Sequence, residues 1–208
     1  MSDHLVLQFS TAAPLWRLWV PRFARRPKAL CLIGDENWGS SLIRRTCHSP
    51  FSHVDIMMPD GNMLGASNSP AAPIIAGNPG GVALRPPDYQ KFAYRRRMLL
   101  DTHRGDDVRA IAMTQLGKGF DNGALKDFLS DKFPGARDWR LDDHWFCAEY
   151  ILWACDVGGM WAPRTLQWPK NRASPTDLLL MFLMDDRWIN REQFWEPVPG
   201  LKLDPSER

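Results

Sequence analysis

Residues 51–66 read FSHVDIMMPDGNMLGA, two apolar runs on either side of Asp60-Gly61. Aspartate followed by glycine tolerates the positive φ that a tight turn demands, so the stretch reads as a β-hairpin. An isolated hairpin is barely stable in water and must find further strands or a helical layer to cover it. That requirement constrains the rest of the chain. A two-residue turn at Asp60-Gly61 would pair positions whose numbers sum to 121, setting His53 across from Asn68.

Other strand-like runs surround the hairpin. LVLQF (Leu5–Phe9) and ALCLIGD (Ala29–Asp35) precede it, and GVALRPPDY and FAYRRRMLL follow, the former closed by Pro86-Pro87. Between the first two, PLWRLWVPRFARRP is interrupted by prolines and has room for only a turn or two of helix. WGSSLIRRTCH (Trp38–His48) spaces its apolar residues as a short helix. The segment Ser67–Gly81, rich in proline, glycine and small residues, is read as a long loop.

Helical spacing dominates the second half. In GDDVRAIAMTQLGKG, Val108, Ile111, Ala112 and Leu116 share a face, and two leading aspartates complement the helix dipole. FDNGALKDFLSDKF and Trp145–Val157 are read as helices as well. In the second of these, Phe146, Tyr150, Trp153, Ala154 and Val157 form the core stripe. SPTDLLLMFLMDD opens with a Ser174 cap, Pro175 at the first helical position and an acid at the third. Strands early and helices late make an α+β domain, an antiparallel sheet packed against helices. The boundaries read as an N-terminal extension 1–28, a domain 29–183 and a C-terminal tail 184–208.

Composition removes several function classes. A chain of 208 residues with 44% hydrophobic and 24% charged residues fits one globular domain. Its net charge of +2 gives no electrostatic case for a nucleic-acid partner. No apolar run is long enough to span a membrane, and the N-terminus lacks the pattern of a signal peptide. The four cysteines form no C-x-x-C pair, which argues against structural zinc and for reduced thiols. The expected location is therefore cytoplasmic or virion-associated, with no metal and no cofactor. Ten tryptophans suit either a core built on large rings or a cleft for an extended or apolar substrate.

Cys147 is the cysteine with an electrostatic argument. It falls in the first turn of its helix, where unsatisfied N–H groups and the positive dipole end favour a thiolate. Cys155, about two turns deeper, lacks that position. A nucleophile needs a base, and His53 at the start of the hairpin is the candidate; His4, His48, His103 and His144 compete with it. A third group should orient the imidazole. Asp55 lies two residues along the same strand and shares a face with His53, while Asn68 is the expected cross-strand partner. Glu149 is close to Cys147 in sequence but equally suits the helix start. A metal site from Cys47, His48 and His53 has poor spacing.

The segments SPFSHVDIMMPDGNMLGA, GGVALRPPDY, QLGKGFDNGALKDF, WFCAEYILWA and SPTDLL, taken in order, resemble the circularly permuted papain-like cysteine hydrolases of the NlpC superfamily. That group includes lecithin:retinol acyltransferase-like enzymes and many bacterial and bacteriophage proteins. The resemblance spans residues 29 to 183 and implies a permuted papain-like fold, with Cys147 as nucleophile and His53 as general base. It also implies a peptide, amide or lipid-like acyl substrate, cell-wall peptide among them. Gly65 and Ala66 stand where the family often places His or Glu, and Ala148 where serine commonly follows the nucleophile. The alternative is a non-catalytic relative that serves as a structural or interaction protein beside other virion proteins.

Overall fold

The computed structural model describes residues 4–11, 40, 43–44, 51–68, 74–90, 92, 94–123, 143–160, 173–184 and 196–197. Alternation along β1 (His4–Thr11) decides how the sheet is covered. Leu5, Leu7 and Phe9 point one way and are fully buried. Gln8 and Ser10 point the other way and are fully buried too. This is a central strand covered on both faces.

The remaining strands are β2 (His53–Met57), β3 (Met63–Ala66), β4 (Ala76–Gly77), β5 (Val82–Arg85), β6 (Tyr94–Asp101) and β9 (Glu196–Pro197). With β1 they form a seven-stranded sheet in the order β4-β5-β3-β2-β1-β6-β9. Every pairing in it is antiparallel. A second, two-stranded sheet pairs β7 (Gly119–Phe120) in parallel with β8 (His144–Trp145).

The segment set apart as an extension therefore needs correcting. His4–Thr11 is inserted between β2 and β6, so it belongs to the sheet rather than preceding it. Its apolar alternation would expose three large side chains in an extension; inserted, each contributes roughly 1.5–3 kcal/mol by burial. Glu196–Pro197, within the assigned tail, pairs with Arg97 and Arg96 at the sheet edge.

Among the described residues, α1 (Gly105–Met113), α2 (Cys147–Val157) and α3 (Pro175–Met184) pack on one face. Val54, Ile56, Leu64, Ala66, Val82, Met98 and Leu100 meet Val108, Ala112, Ile151, Ala154, Leu178 and Phe182 in a continuous apolar core. α1 can approach β1 closely because it begins at glycine: a Cβ on Gly105 would stand 2.6 Å from the His4 carbonyl oxygen. α3 carries the expected cap. Ser174 Oγ accepts from the Asp177 amide at 3.0 Å, and Asp177 Oδ2 accepts from the Ser174 amide at 2.8 Å. This reciprocal pair satisfies two donors at the helix start.

The apolar stripe assigned to α2 is too narrow. Phe146, Tyr150 and Ala154 are buried, but so are Cys147, Ala148, Ile151, Leu152 and Cys155, whereas Val157 is 52% exposed. The helix packs on β2 and β3, on α1 and on α3. With neighbours on several sides, it is apolar around most of its circumference.

The hairpin turn also differs from expectation. Met58 N–H donates to the Asn62 carbonyl at 2.8 Å, enclosing the three-residue loop Pro59-Asp60-Gly61, with Gly61 at φ 87°. The extra residue shifts the register, so Ile56 pairs with Leu64 and Met57 with Met63. Paired numbers sum to 120, and Asp55, not His53, leads toward the position opposite Gly65. The expected strand at residues 29–35, most of the segment 38–48 and helix residues 124–134 lie outside the described residues. Ile43 and Arg44 are helical and buried.

Candidate active site

Phe146 is extended at φ −103°, ψ 158°, and the helix begins at Cys147. The first helical hydrogen bond runs from the Tyr150 amide to the Phe146 carbonyl at 3.0 Å. The sulfur therefore sits at the amide-rich start of the helix, ahead of that first bond. His144 and Trp145, just upstream, are extended rather than helical because they pair with β7.

His53 is the first residue of β2, as Cys147 is of α2. The Cys147 sulfur lies close enough to the His53 ring to act on it electrostatically. Asp55 Oδ1 accepts from His53 Nε2 at 2.8 Å, which leaves Nδ1 as the ring nitrogen for the sulfur. The second carboxylate oxygen, Oδ2, accepts from the Tyr89 hydroxyl at 3.0 Å. Cys147 is 2% exposed, His53 9% and Asp55 fully buried.

Burial alone would drive His53 toward its neutral form. The charge and hydrogen bond of Asp55, joined by Cys147, outweigh that penalty and push its pKa up to about 10. The imidazole thus holds its proton at neutral pH. Tyr89 is shifted well above the ordinary tyrosine range by burial and by Asp55, with Arg85 opposing. It remains a phenol and keeps donating. Cys155 is pushed up as well, by burial first and by Asp156 second.

Gly65 explains how the carboxylate fits. A Cβ there would collide with Asp55 Oδ1. The missing side chain on β3 is the space that the β2 carboxylate occupies.

Of the sequence-derived residues, Cys147, His53 and Asp55 come together. Asn68 is exposed and lies beyond the β2–β3 ladder, because the longer turn moved the register; it is not the partner of His53. Glu149 is buried in the first turn of α2, while His4, His103 and His144 are exposed. Among the described residues no cluster of three or more His, Cys, Asp or Glu is placed to hold a metal ion. No helix among them is long and apolar enough to cross a membrane.

Tyr89 and Arg85 were not visible in the sequence. Arg85 is fully buried on β5 and donates to the carbonyls of Gly65 and Gly81, both at 2.8 Å. Its guanidinium lies 5.5 Å from the Tyr89 ring centroid. An arginine within VALR and a tyrosine after two prolines carry no periodic signal. The polar alternation of Gln8 and Ser10 inside an apolar strand did carry one. Those residues pair with Asp55 and His53 respectively. A scan against protein-family models finds no match, and no curated protein matches the chain.

Proposed function

We propose that the chain is a cysteine hydrolase of the permuted papain-like, NlpC type, cleaving an amide or ester through an acyl-enzyme. One observation carries the reading: the sulfur at the first residue of α2 lies beside an imidazole whose other side is held by a buried carboxylate. Cys147 attacks the substrate carbonyl as thiolate, and the carbonyl π electrons move onto oxygen. In this reading the start of α2 supplies the amides that stabilise that oxyanion. As the tetrahedral intermediate collapses, the carbon–nitrogen or carbon–oxygen bond breaks, and His53 gives its proton to the leaving group. His53, now neutral, takes a proton from water. The resulting hydroxide equivalent attacks the thioester, the carbon–sulfur bond breaks, and the acid product leaves with Cys147 again a thiolate beside the imidazolium that water's proton restored. Asp55 stabilises the imidazolium and fixes the ring.

The reaction is tested by mass spectrometry of peptidoglycan fragments and acyl-amide libraries after incubation with wild type and Cys147→Ala. Products dependent on Cys147 support the reading and identify the acyl group. A second reading, a non-catalytic structural or interaction protein, is favoured by the 2% exposure of Cys147. Alkylation of Cys147 by iodoacetamide against pH separates the two. A catalytic pair reacts well below pH 8 and loses that reactivity in His53→Ala; a structural thiol gives one ordinary profile in both proteins.

A further inference from the structure

We propose that Tyr89 is a positioning residue: its hydroxyl locks the Asp55 carboxylate in the rotamer that orients His53. The inference deepens the cysteine-hydrolase reading and rests on it for its catalytic meaning. A carboxylate can turn about its last torsion, and one hydrogen bond does not fix it. Asp55 is held at both oxygens, by His53 on Oδ1 at 2.8 Å and Tyr89 on Oδ2 at 3.0 Å. The void left by Gly65 lets the carboxylate adopt that pose, but a void cannot hold it there. The tyrosine supplies the restraint.

Tyr89 is itself fixed from several sides. Its amide donates to the Pro86 carbonyl at 3.1 Å, closing the turn after β5. Phe92 meets its ring edge-on at 5.3 Å between centroids, and Arg85 lies over it. The His53 ring approaches edge-on as well, with centroids 6.5 Å apart. Arg85 is anchored in turn by backbone carbonyls of β3 and of the 79–81 loop. A rigid line therefore runs from the β5 backbone through Arg85, Tyr89 and Asp55 to His53.

The groups that bear on His53 are Asp55 on its own strand, Cys147 from α2 and Tyr89 from the turn after β5. Gln8 and Ser10 on β1 are neutral, and Arg97 on β6 is engaged with Gln8 Oε1 at 3.3 Å. Of this set, only Tyr89 donates a side-chain hydrogen bond to the second Asp55 oxygen among the described residues.

The test is Tyr89→Phe, which removes one oxygen and keeps the ring against Phe92 and Arg85. The His53 imidazole is titrated by NMR in wild type, Tyr89→Phe and Phe92→Leu, and Cys147 alkylation at pH 7 is measured on the same samples. In Tyr89→Phe the His53 midpoint falls by one unit or more and alkylation slows about tenfold. Phe92→Leu, which loosens the packing but spares the hydroxyl, moves both far less than Tyr89→Phe does. A Tyr89→Phe midpoint equal to wild type overturns the proposal, as does an equal shift in both variants, which would make the effect one of packing. His53→Ala is run beside them. If it leaves Cys147 alkylation unaltered, the hydrolase reading fails, while the NMR midpoint still decides whether Tyr89 positions Asp55.

Discussion

Cys147 and Cys155 stand on one helix, about two turns apart, and both are buried. At the first, the chain has just turned from extended to helical, and His53 stands close by with Asp55 behind it. At the second, the Cys155 carbonyl accepts from the Met160 amide at 2.9 Å, Ala154 and Met160 are apolar neighbours, and burial raises the thiol pKa. Val108 of α1 packs close against Gly158 there. Equal burial thus produces two different sulfurs. What separates them is the set of charges and donors within reach, not distance from solvent.

The largest break in that contrast is His53→Ala. It should slow Cys147 alkylation at pH 7 by about 10²–10⁴-fold, the usual contribution of a positioned base, and leave Cys155 as unreactive as before. Peptide mapping after iodoacetamide treatment reads both cysteines in one experiment. Equal labelling of the two in wild type would remove the distinction.

Next comes Gly65→Ala, a substitution on β3 that touches neither histidine nor cysteine. Its new methyl meets the end of the Asp55 side chain, which can swing aside, so the fold should survive while the His53 bond is lost. Cys147 reactivity should drop about as far as in Asp55→Asn, on the order of 10-fold or more. If the alanine variant reacts like wild type, Asp55 does not orient the ring.

A smaller effect appears in stability against pH. The folded-state pKa of His53, about 10, lies above its ordinary value of 6.5, so folding favours the protonated form. That stabilisation is whole below about pH 6.5 and is lost progressively as pH rises through 10. Urea midpoints measured from pH 6 to pH 10 should decline in wild type, and the decline should flatten in Asp55→Asn.

Smallest is Cys155→Ala. It trims one buried sulfur and should cost about 1–2 kcal/mol by thermal or urea unfolding, with Cys147 reactivity unchanged. A parallel loss of reactivity would mean that the two ends of α2 are coupled.

Much of this contrast could be read before any coordinates. The apolar helix with cysteine at its front, the Ser174-Pro175-x-Asp177 start of α3 and the alternating strand at His53 are local patterns, set by neighbours a few residues away. Asp55 was legible for the same reason: a spacing of two places side chains on one strand face. Asn68 failed because one extra loop residue, invisible in the Asp-Gly signal, moved every pair in the ladder.

Sequence alone determined that a thiol would stand in the first turn of a helix and that a histidine and an aspartate would share a strand face. It also determined that most of the main sheet would come before the helices, though β7, β8 and β9 follow α1. Only the tertiary structure decided that β1 enters the middle of the sheet, that Gly65 makes room for Asp55, and that Tyr89 and Arg85 close around it. Propensity and periodicity act over a few residues along the chain. The Tyr89–Asp55 bond joins positions 34 apart, and such a pairing is chosen by which surfaces pack together.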